Sequence, residues 1–432
     1  MLSIEDNETI TRVGPGTPMG ELMRRYWQPV CAVDQLISSP FRTKEIEVLG
    51  EELVIFRDRK GNLGVVDKYC AHRRANLAYG VVEDGLRCQY HGWKFNGDGK
   101  CIEQQFEDTT HPEDSFRDKC GIRAYKAQEL AGLVFVYMGP DPAPMLPSWE
   151  PLMWDQAVRD IAITHLPCNW LQCQENSLDP VHLEWLHGYS GVYFRKLLGG
   201  VEPDSFATPN DWRHREVGFD AFPYGIIKRR YYKGQTKEDD EWKIGHPVLF
   251  PNILLVGNPL SNTLQWRVPI DDTHTLHFSL YTWRAAPGAQ APRQDVVPSR
   301  IVPLTDEETQ YFLTELTFNQ DYLCWVTQGD IAKRHLEKLG ESDKGIIMFR
   351  KMLIQQIEVM HETGSPTMNI FRTPEENESI QLPTEPSRFD WFRNGRYRPQ
   401  EAGYSRDADK FEAVMATWKE LSQESVRQLV TA

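Results

Sequence analysis

This 432-residue chain is poor in positive charge and has no long apolar segment. Its 48 lysines and arginines face 62 aspartates and glutamates, and the net charge of −14 argues against a nucleic-acid partner, which needs a basic face. No apolar run approaches the roughly 18 residues of a membrane span. Residues 1–6 lack the basic region and apolar core of a signal peptide, so we expect a cytoplasmic protein.

Cysteines and nucleotide-binding motifs are also scarce. Eight cysteines in so long a chain do not form a disulfide framework, and we expect those not used as ligands to be reduced thiols. The glycines of segment 14–20 follow no strand and lack the GxGxxG spacing. Thr17 as N-cap and Pro18 at the first helical position explain that segment without a ligand. We therefore expect no NAD or flavin site.

Two of the cysteines belong to a motif. Cys70 and His72 are followed, after fifteen residues, by Cys88 and His91. Two cysteines on one iron and two histidines on the other are the ligands of a Rieske [2Fe–2S] cluster. Zinc also accepts Cys₂His₂, but zinc fingers separate the cysteine pair from the histidine pair, whereas both pairs are mixed here. The motif therefore predicts a one-electron relay.

These loops resemble the Rieske domain of bacterial ring-hydroxylating oxygenases. Respiratory Rieske proteins carry an extra cysteine in each ligand loop, where this chain has Ala75 and Tyr90. The resemblance therefore favours the oxygenase type of cluster over a respiratory one.

The pattern along the chain predicts an α+β fold. Short alternating strands indicate an N-terminal all-β Rieske [2Fe–2S] domain, and by resemblance the catalytic domain is helix-grip-like with an antiparallel sheet. The expected divisions are an N-terminal segment with a helix at 1–43, the Rieske domain at 44–138, a proline-rich linker at 139–155 and the catalytic domain at 156–432. In the last we predict helices over 171–187, 306–362 and 408–429, strands near 224–232, 247–257, 263–269 and 275–284, and a solvated face at 333–338.

A second motif lies in the first of these helices. Glu175, Asp179 and His182 are spaced to share one face of a helix. His187 lies about 140° away from His182 around a regular helix, so both imidazoles reach one metal only if the helix is distorted or ends near His187. Pro180 either kinks the helix or starts a new one after an Asp179 cap.

This string resembles the mononuclear iron site of the same oxygenases. The resemblance implies that His182 and His187 are two arms of a 2-His-1-carboxylate triad for Fe(II), with open positions for O₂ and substrate. Asp321, in a stretch resembling the ligand-bearing helix of the phthalate-type branch, is the expected third arm. On spacing alone three other acids remain open: Asp306, Asp330 and Asp343. The resemblance also implies that Asp179 bridges His182 to His91 of a neighbouring subunit in a head-to-tail homotrimer or hexamer, with Glu175 and Asn176 lining the route or the iron pocket.

The resemblance is closest to phthalate-type dioxygenases and to O-demethylases of lignin-derived biaryls, which act on aromatic carboxylates. On the predicted strand 224–232, either Lys228 and Arg230 or Arg229 point inward, where they can bind a carboxylate; a basic outer face is the alternative. Further pocket candidates are His246, Phe250 and Asn252.

The expected activity is that of a terminal oxygenase, which takes electrons from a separate NAD(P)H-dependent reductase, a ferredoxin or both. The product is a cis-dihydrodiol or, after O-demethylation, a phenol and formaldehyde. A pure electron carrier and an iron-free binding or regulatory relative remain open as other classes.

Overall fold

The computed structural model describes residues 2–113, 116–191, 193, 213–314, 316–389 and 405–431. Within these ranges, no helix is both long enough and apolar enough to cross a membrane. The helices are α1 (Ile4–Thr11), α2 (Pro18–Met23), α3 (Val33–Ile37), α4 (Gln105–Thr110), α5 (Glu150–Met153), α6 (Trp170–Asn176), α7 (Leu183–Ser190), α8 (Asp240–Lys243), α9 (Thr317–Val326), α10 (Lys344–Thr363), α11 (Ala408–Thr417) and α12 (Gln423–Thr431). The strands are β1 (Gln28–Ala32), β2 (Thr43–Val48), β3 (Glu51–Arg57), β4 (Leu63–Asp67), β5 (Val81–Val82), β6 (Leu86–Arg87), β7 (Lys94–Phe95), β8 (Cys101–Glu103), β9 (Ala124–Leu130), β10 (Leu133–Tyr137), β11 (Ala157–Leu166), β12 (His214–Phe222), β13 (Gly225–Tyr232), β14 (His246–Leu249), β15 (Ile253–Gly257), β16 (Ser261–Pro269), β17 (Thr275–Arg284) and β18 (Ser299–Ile301).

The N-terminal domain is all-β, as predicted. Six antiparallel strands follow the order β1-β10-β9-β4-β3-β2, and a four-stranded sheet β5-β6-β7-β8 carries one cluster loop. Because β1 (Gln28–Ala32) pairs with β10, the domain begins near residue 28 and takes in part of the segment that the sequence assigned to a separate N-terminal region. Buried Glu51 on β3 binds Arg24 of this segment at 2.7 Å, which fixes the segment to the sheet.

The C-terminal domain contains an eight-stranded sheet in the order β12-β13-β14-β15-β16-β17-β11-β18, antiparallel except for the β11–β18 pair. Cross-strand partners point to the same side of a sheet. The pairing of Arg267 with His277 therefore places both on one face, where the Tyr322 hydroxyl of α9 lies 2.9 Å from His277 Nδ1. The other face is apolar, and its Trp266 contacts Phe135 of the Rieske domain with ring centroids 6.0 Å apart.

The long helix expected over 306–362 is two helices, α9 and α10. The chain between them is largely irregular and contains Gly329 at φ 92°, a left-handed conformation that ends a helix readily. The 333–338 stretch is only partly a solvated face: Lys333, Leu336 and Lys338 are exposed, but Arg334 is 1% exposed and pairs with Glu175. The predicted strand 247–257 is two strands, β14 and β15, joined by a turn. The strands predicted over 224–232, 263–269 and 275–284 correspond to β13, β16 and β17.

Candidate active site

The two cluster loops have the same backbone turn. In each, the N–H of the fourth residue after the cysteine donates to the cysteine carbonyl: Arg74 to Cys70 at 3.0 Å, and Gly92 to Cys88 at 3.1 Å. That fourth residue is left-handed in both loops, with φ 56° at Arg74 and 76° at Gly92. Two copies of one turn thus each present a sulfur and an imidazole.

The four side chains of this motif converge. Cys70 and Cys88 are buried, whereas the rings of His72 and His91 are exposed and lie 4.5 Å apart between centroids. A hydrogen bond from the Cys70 thiol, together with backbone N–H groups of Tyr90 and His91, lowers the pKa of Cys88 to about 6 although burial opposes this. A donor set of two adjacent sulfurs and two adjacent imidazoles fits a Rieske cluster, whose thiolate side is inside the domain and whose imidazole side faces outward.

The second motif folds as two helices, because Pro180 starts a new one. The Asp179 carboxylate accepts the N–H groups of Val181 at 2.8 Å and His182 at 3.3 Å and so caps this second helix. Its continuation, α7, has π-helical hydrogen bonding. In a π-helix residue i bonds residue i+5, so His182 and His187 lie about one turn apart and face the same way. Distortion rather than an early helix end brings the two imidazoles together.

Asp321 on α9 completes the group. Its Oδ1 lies 3.2 Å from His187 Nε2 and 3.6 Å from His182 Nε2, and the three donor atoms all lie within 4.8 Å of one another. Burial lowers the pKa of His182 to about 4, which keeps its imidazole neutral and able to bind a metal at pH 7. Two imidazoles and one carboxylate fit the triad of a mononuclear iron site. The rival acids are placed elsewhere: Asp306 caps a turn, Asp330 is exposed, and Asp343 binds the Gly340 N–H.

Asn176 and Asp179 border this site. The Asn176 amide lies 3.5 Å from Asp321 Oδ1, a weak contact along one side of the triad. Asp179 is partly exposed, and its Oδ2 lies 3.7 Å from His182 Nδ1, too far for a hydrogen bond. Among the described residues, His182 Nδ1 has no hydrogen-bond partner.

Glu175 is occupied elsewhere. Arg334 binds both of its carboxylate oxygens, at 2.9 and 2.7 Å, and Arg350 of α10 binds at 2.6 Å. Burial would raise the pKa of Glu175, but these two guanidiniums outweigh it and hold the pKa below its ordinary value. The carboxylate therefore anchors α6 to Arg334 and to α10, and among the described residues its contacts are with these arginines rather than with the triad; its role in the route or pocket stays a prediction. The spacing of residues in the sequence did not predict that Arg334 or Arg350 would pair with Glu175.

The three cationic side chains of strand β13 have different surroundings. Arg229 points to the outer side, where it binds Asp220 and two backbone carbonyls, and Arg230 is paired with Glu241 at 3.3 Å. Lys228 is 5% exposed and, among the described residues, forms no ion pair. Burial and, to a smaller extent, the positive charge of Arg230 together lower the pKa of Lys228 to about 7, although Asp179 acts in the opposite direction. Lys228 also depresses the pKa of His182, so its charge is close to the triad.

The remaining pocket candidates have structural partners. His246 stands opposite Lys228 on β14, with its Nε2 beside Glu385. Phe250 packs edge-on against Tyr26 of the N-terminal segment, and the Asn252 amide donates to Gln28 at 2.9 Å. Phe250 and Asn252 therefore belong to the core that joins the two domains, and we leave them out of the pocket proposed below.

A second group of metal-type donors is also buried: Glu241, His246 and Glu385. Arg230 and Arg388 already neutralise both carboxylates of this group. With Lys228 nearby, the cluster has an excess of positive charge that disfavours a dication. We interpret it as a buried ion network.

Comparisons with known proteins agree with this geometry. A profile of the Rieske [2Fe-2S] domain matches residues 26–117, and one of the LigXa C-terminal domain like family matches residues 306–382. The chain is 40% identical to the 5,5'-dehydrodivanillate O-demethylase oxygenase subunit of Sphingobium sp. (strain NBRC 103272 / SYK-6), over 89% of this chain and 87% of that protein. It is 33% identical to the phthalate 4,5-dioxygenase oxygenase subunit of Pseudomonas putida, over 83% and 86%. The structure of Pseudomonas putida CBB5 NdmA with caffeine shares the fold, with a TM-score of 0.59, 18% identity and coverage of 81% and 98%.

Replacing Asp321 tests the triad. Anaerobically purified protein should contain about three irons and two acid-labile sulfides per chain, and Asp321→Ala should retain about two irons with an intact Rieske EPR signal. Asp330→Ala, in a rival acid, is the control and should keep all three. Full iron content in Asp321→Ala would assign the third arm to another acid.

Proposed function

This chain belongs to the oxygenase subunits of the Rieske non-haem iron oxygenases, and on that premise we propose that it oxidises an aromatic carboxylate with O₂ and electrons from a separate reductase. The observation that carries the proposal is the meeting of His182, His187 and Asp321 in a chain whose other domain has the cluster motif. When bound, the cluster supplies single electrons and the mononuclear iron binds and activates O₂. The cytoplasmic location stays a prediction.

The protein residues between the two metal sites would act across a subunit boundary. His91 is exposed at the tip of one domain, and Asp179 is 31% exposed beside His182 in the other. A carboxylate that accepts N–H groups from both imidazoles fixes their tautomers and provides a short bonded route for the electron. In this proposal the missing partner of His182 Nδ1 is supplied when a neighbouring His91 draws the Asp179 carboxylate into the bridge.

Exposed aromatic side chains support such an interface. On α7, which follows the Asp179 cap along the chain, Trp185 is 62% exposed and stacks on Tyr189, with ring centroids 4.9 Å apart. On the cluster side, Tyr79 and Tyr90 are also exposed. Large exposed aromatic groups mark surfaces that bind protein. Two different surfaces joined head to tail form a closed ring when the rotation between neighbouring subunits closes, and the proposed assembly is such a ring of three, alone or stacked as a hexamer.

Asp179→Asn tests the bridge. Both metals should remain bound, because Asp179 is not a ligand, but an amide cannot accept from both imidazoles with the same strength. Reoxidation of the prereduced cluster in a single turnover should slow by at least about tenfold. Rapid-mixing absorbance measures this, with Asp330→Asn as the control. An unchanged rate would exclude the bridge.

Mixed oligomers test whether the electron crosses between subunits. A cluster-deficient Cys88→Ser chain and an iron-deficient Asp321→Ala chain should each be inactive when alone. Co-expressed, they should recover part of the activity, because a neighbour's cluster serves an intact iron site. Inactive mixed oligomers would place the transfer within one chain.

Lys228 is the proposed anchor for the substrate carboxylate. It shares its sheet face with His246, is not paired with an acid in the described chain, and lies close enough to the triad to affect His182 electrostatically. A buried cation without a counter-ion is costly unless a ligand pairs with it. Arg230 and Arg388 are already paired with Glu241 and Glu385, whereas Lys228 has no acid partner among the described residues to give up before it meets an incoming anion.

Lys228→Met should raise KM for aromatic carboxylates by about 10- to 100-fold, because a charge-assisted hydrogen bond is lost. KM for the matching neutral amides should stay nearly unchanged. In the wild type, KM for the acids should rise above pH about 7, where the ammonium loses its proton. Arg229→Met, on the outer side of the same strand, is the control. Equal effects on acids and amides would contradict the assignment.

Product analysis separates ring dihydroxylation from O-demethylation. The 40% identical O-demethylase subunit favours O-demethylation of a methoxylated aromatic acid as the second candidate. With phthalate- and benzoate-type acids the expected product is a cis-dihydrodiol, and with methoxylated acids it is formaldehyde with a phenol. Chromatography and a formaldehyde assay distinguish the two reactions. NADH-dependent O₂ consumption without either product, across both panels, would contradict the proposed substrate class.

A further inference from the structure

Gln320, which precedes the aspartate of the triad on α9, contacts the opposite end of the His187 ring. Its Oε1 lies 2.9 Å from His187 Nδ1, while Asp321 Oδ1 lies 3.2 Å from His187 Nε2. Two consecutive residues of α9 therefore lie next to the two nitrogens of one imidazole. Gln320 and His187 are both buried, so solvent does not compete for these contacts.

The amide of Gln320 has only one consistent orientation. Its Nε2 lies 2.7 Å from the Thr314 carbonyl oxygen, which can only accept a hydrogen bond. The nitrogen must therefore point to Thr314, and the oxygen must point to His187. Since an amide oxygen can only accept, His187 Nδ1 must carry the proton.

We infer that Gln320 is a positioning residue that fixes the tautomer of His187. With the proton held at Nδ1, the lone pair of Nε2 points to the place where His182 Nε2 and Asp321 Oδ1 converge. The inference rests on the proposed function, since it concerns the same triad. It also distinguishes the two imidazoles: His187 is fixed within the chain by a neutral amide, whereas the polar group beside His182 Nδ1, within the described part of the chain, is the distant Asp179 carboxylate.

Two variants of Gln320 separate acceptor strength from shape. Gln320→Met has a similar length but no acceptor, and Gln320→Glu retains an acceptor for the Nδ1 proton. Both lose the donor to Thr314, so the difference between them isolates the contact with His187. Gln328→Met, an exposed glutamine just beyond the same helix, is the matched control.

The measurement is calorimetric titration of Fe(II) or Co(II) into protein that contains the Rieske cluster but no mononuclear metal. Gln320→Met should weaken metal binding by about 10- to 100-fold, and Gln320→Glu should bind within a few-fold of wild type or more tightly. Cluster absorbance and thermal unfolding establish that each variant is folded. If Gln320→Glu does not fold, the inference is tested by comparing the metal affinity of Gln320→Met with that of Gln328→Met.

Two results would overturn the inference: wild-type affinity in Gln320→Met, or equal losses in folded Met and Glu variants, which would assign the effect to the Thr314 contact. If the triad is not a metal site, as the proposed function requires, the wild-type protein itself would bind no metal in this titration. No turnover is needed to tell these apart.

Discussion

The mononuclear site depends on a departure from regular helix geometry. Two histidines five residues apart diverge by about 140° on an α-helix and cannot share a metal. Three constraints bring them together here: Pro180 and the Asp179 cap start a new helix, π-helical bonding brings residues five apart into line, and α9 holds the His187 ring from both sides. Once α7 adopts this form, Asp321 needs only to lie opposite it, and the triad is complete.

The sequence predicted those parts of the site that short spacing encodes. The mixed cysteine and histidine pairs indicated the cluster, and the Glu175–His187 string indicated the second metal site, with either a distorted helix or a helix that ends near His187. The alternation of β13 narrowed its three cations to two choices, and burial selects Lys228 and Arg230. Sequence reasoning can make these predictions because each depends largely on residues that are close together along the chain.

Pairings between distant segments were beyond this reasoning. Arg334 lies 159 positions from Glu175 and stands in a stretch that resembles an exposed charged face. Gln320 lies 133 positions from His187, and glutamine has no ligand signature. Phe250 and Asn252 were predicted as pocket residues, yet Tyr26 and Gln28 near the N-terminus pack against them. In each case tertiary packing decided the partner, and local pattern carries no information about it.

The buried ammonium of Lys228, in its proposed role as the carboxylate anchor, has a kinetic consequence when set against the charge of the whole molecule. With a net charge of −14, the protein repels an anion at long range. The attraction of the buried Lys228 acts only after the anion has entered the interior. Added salt screens the long-range repulsion more than it screens a buried pair. Association of a carboxylate with this protein therefore becomes faster as ionic strength rises, the reverse of ordinary electrostatic steering.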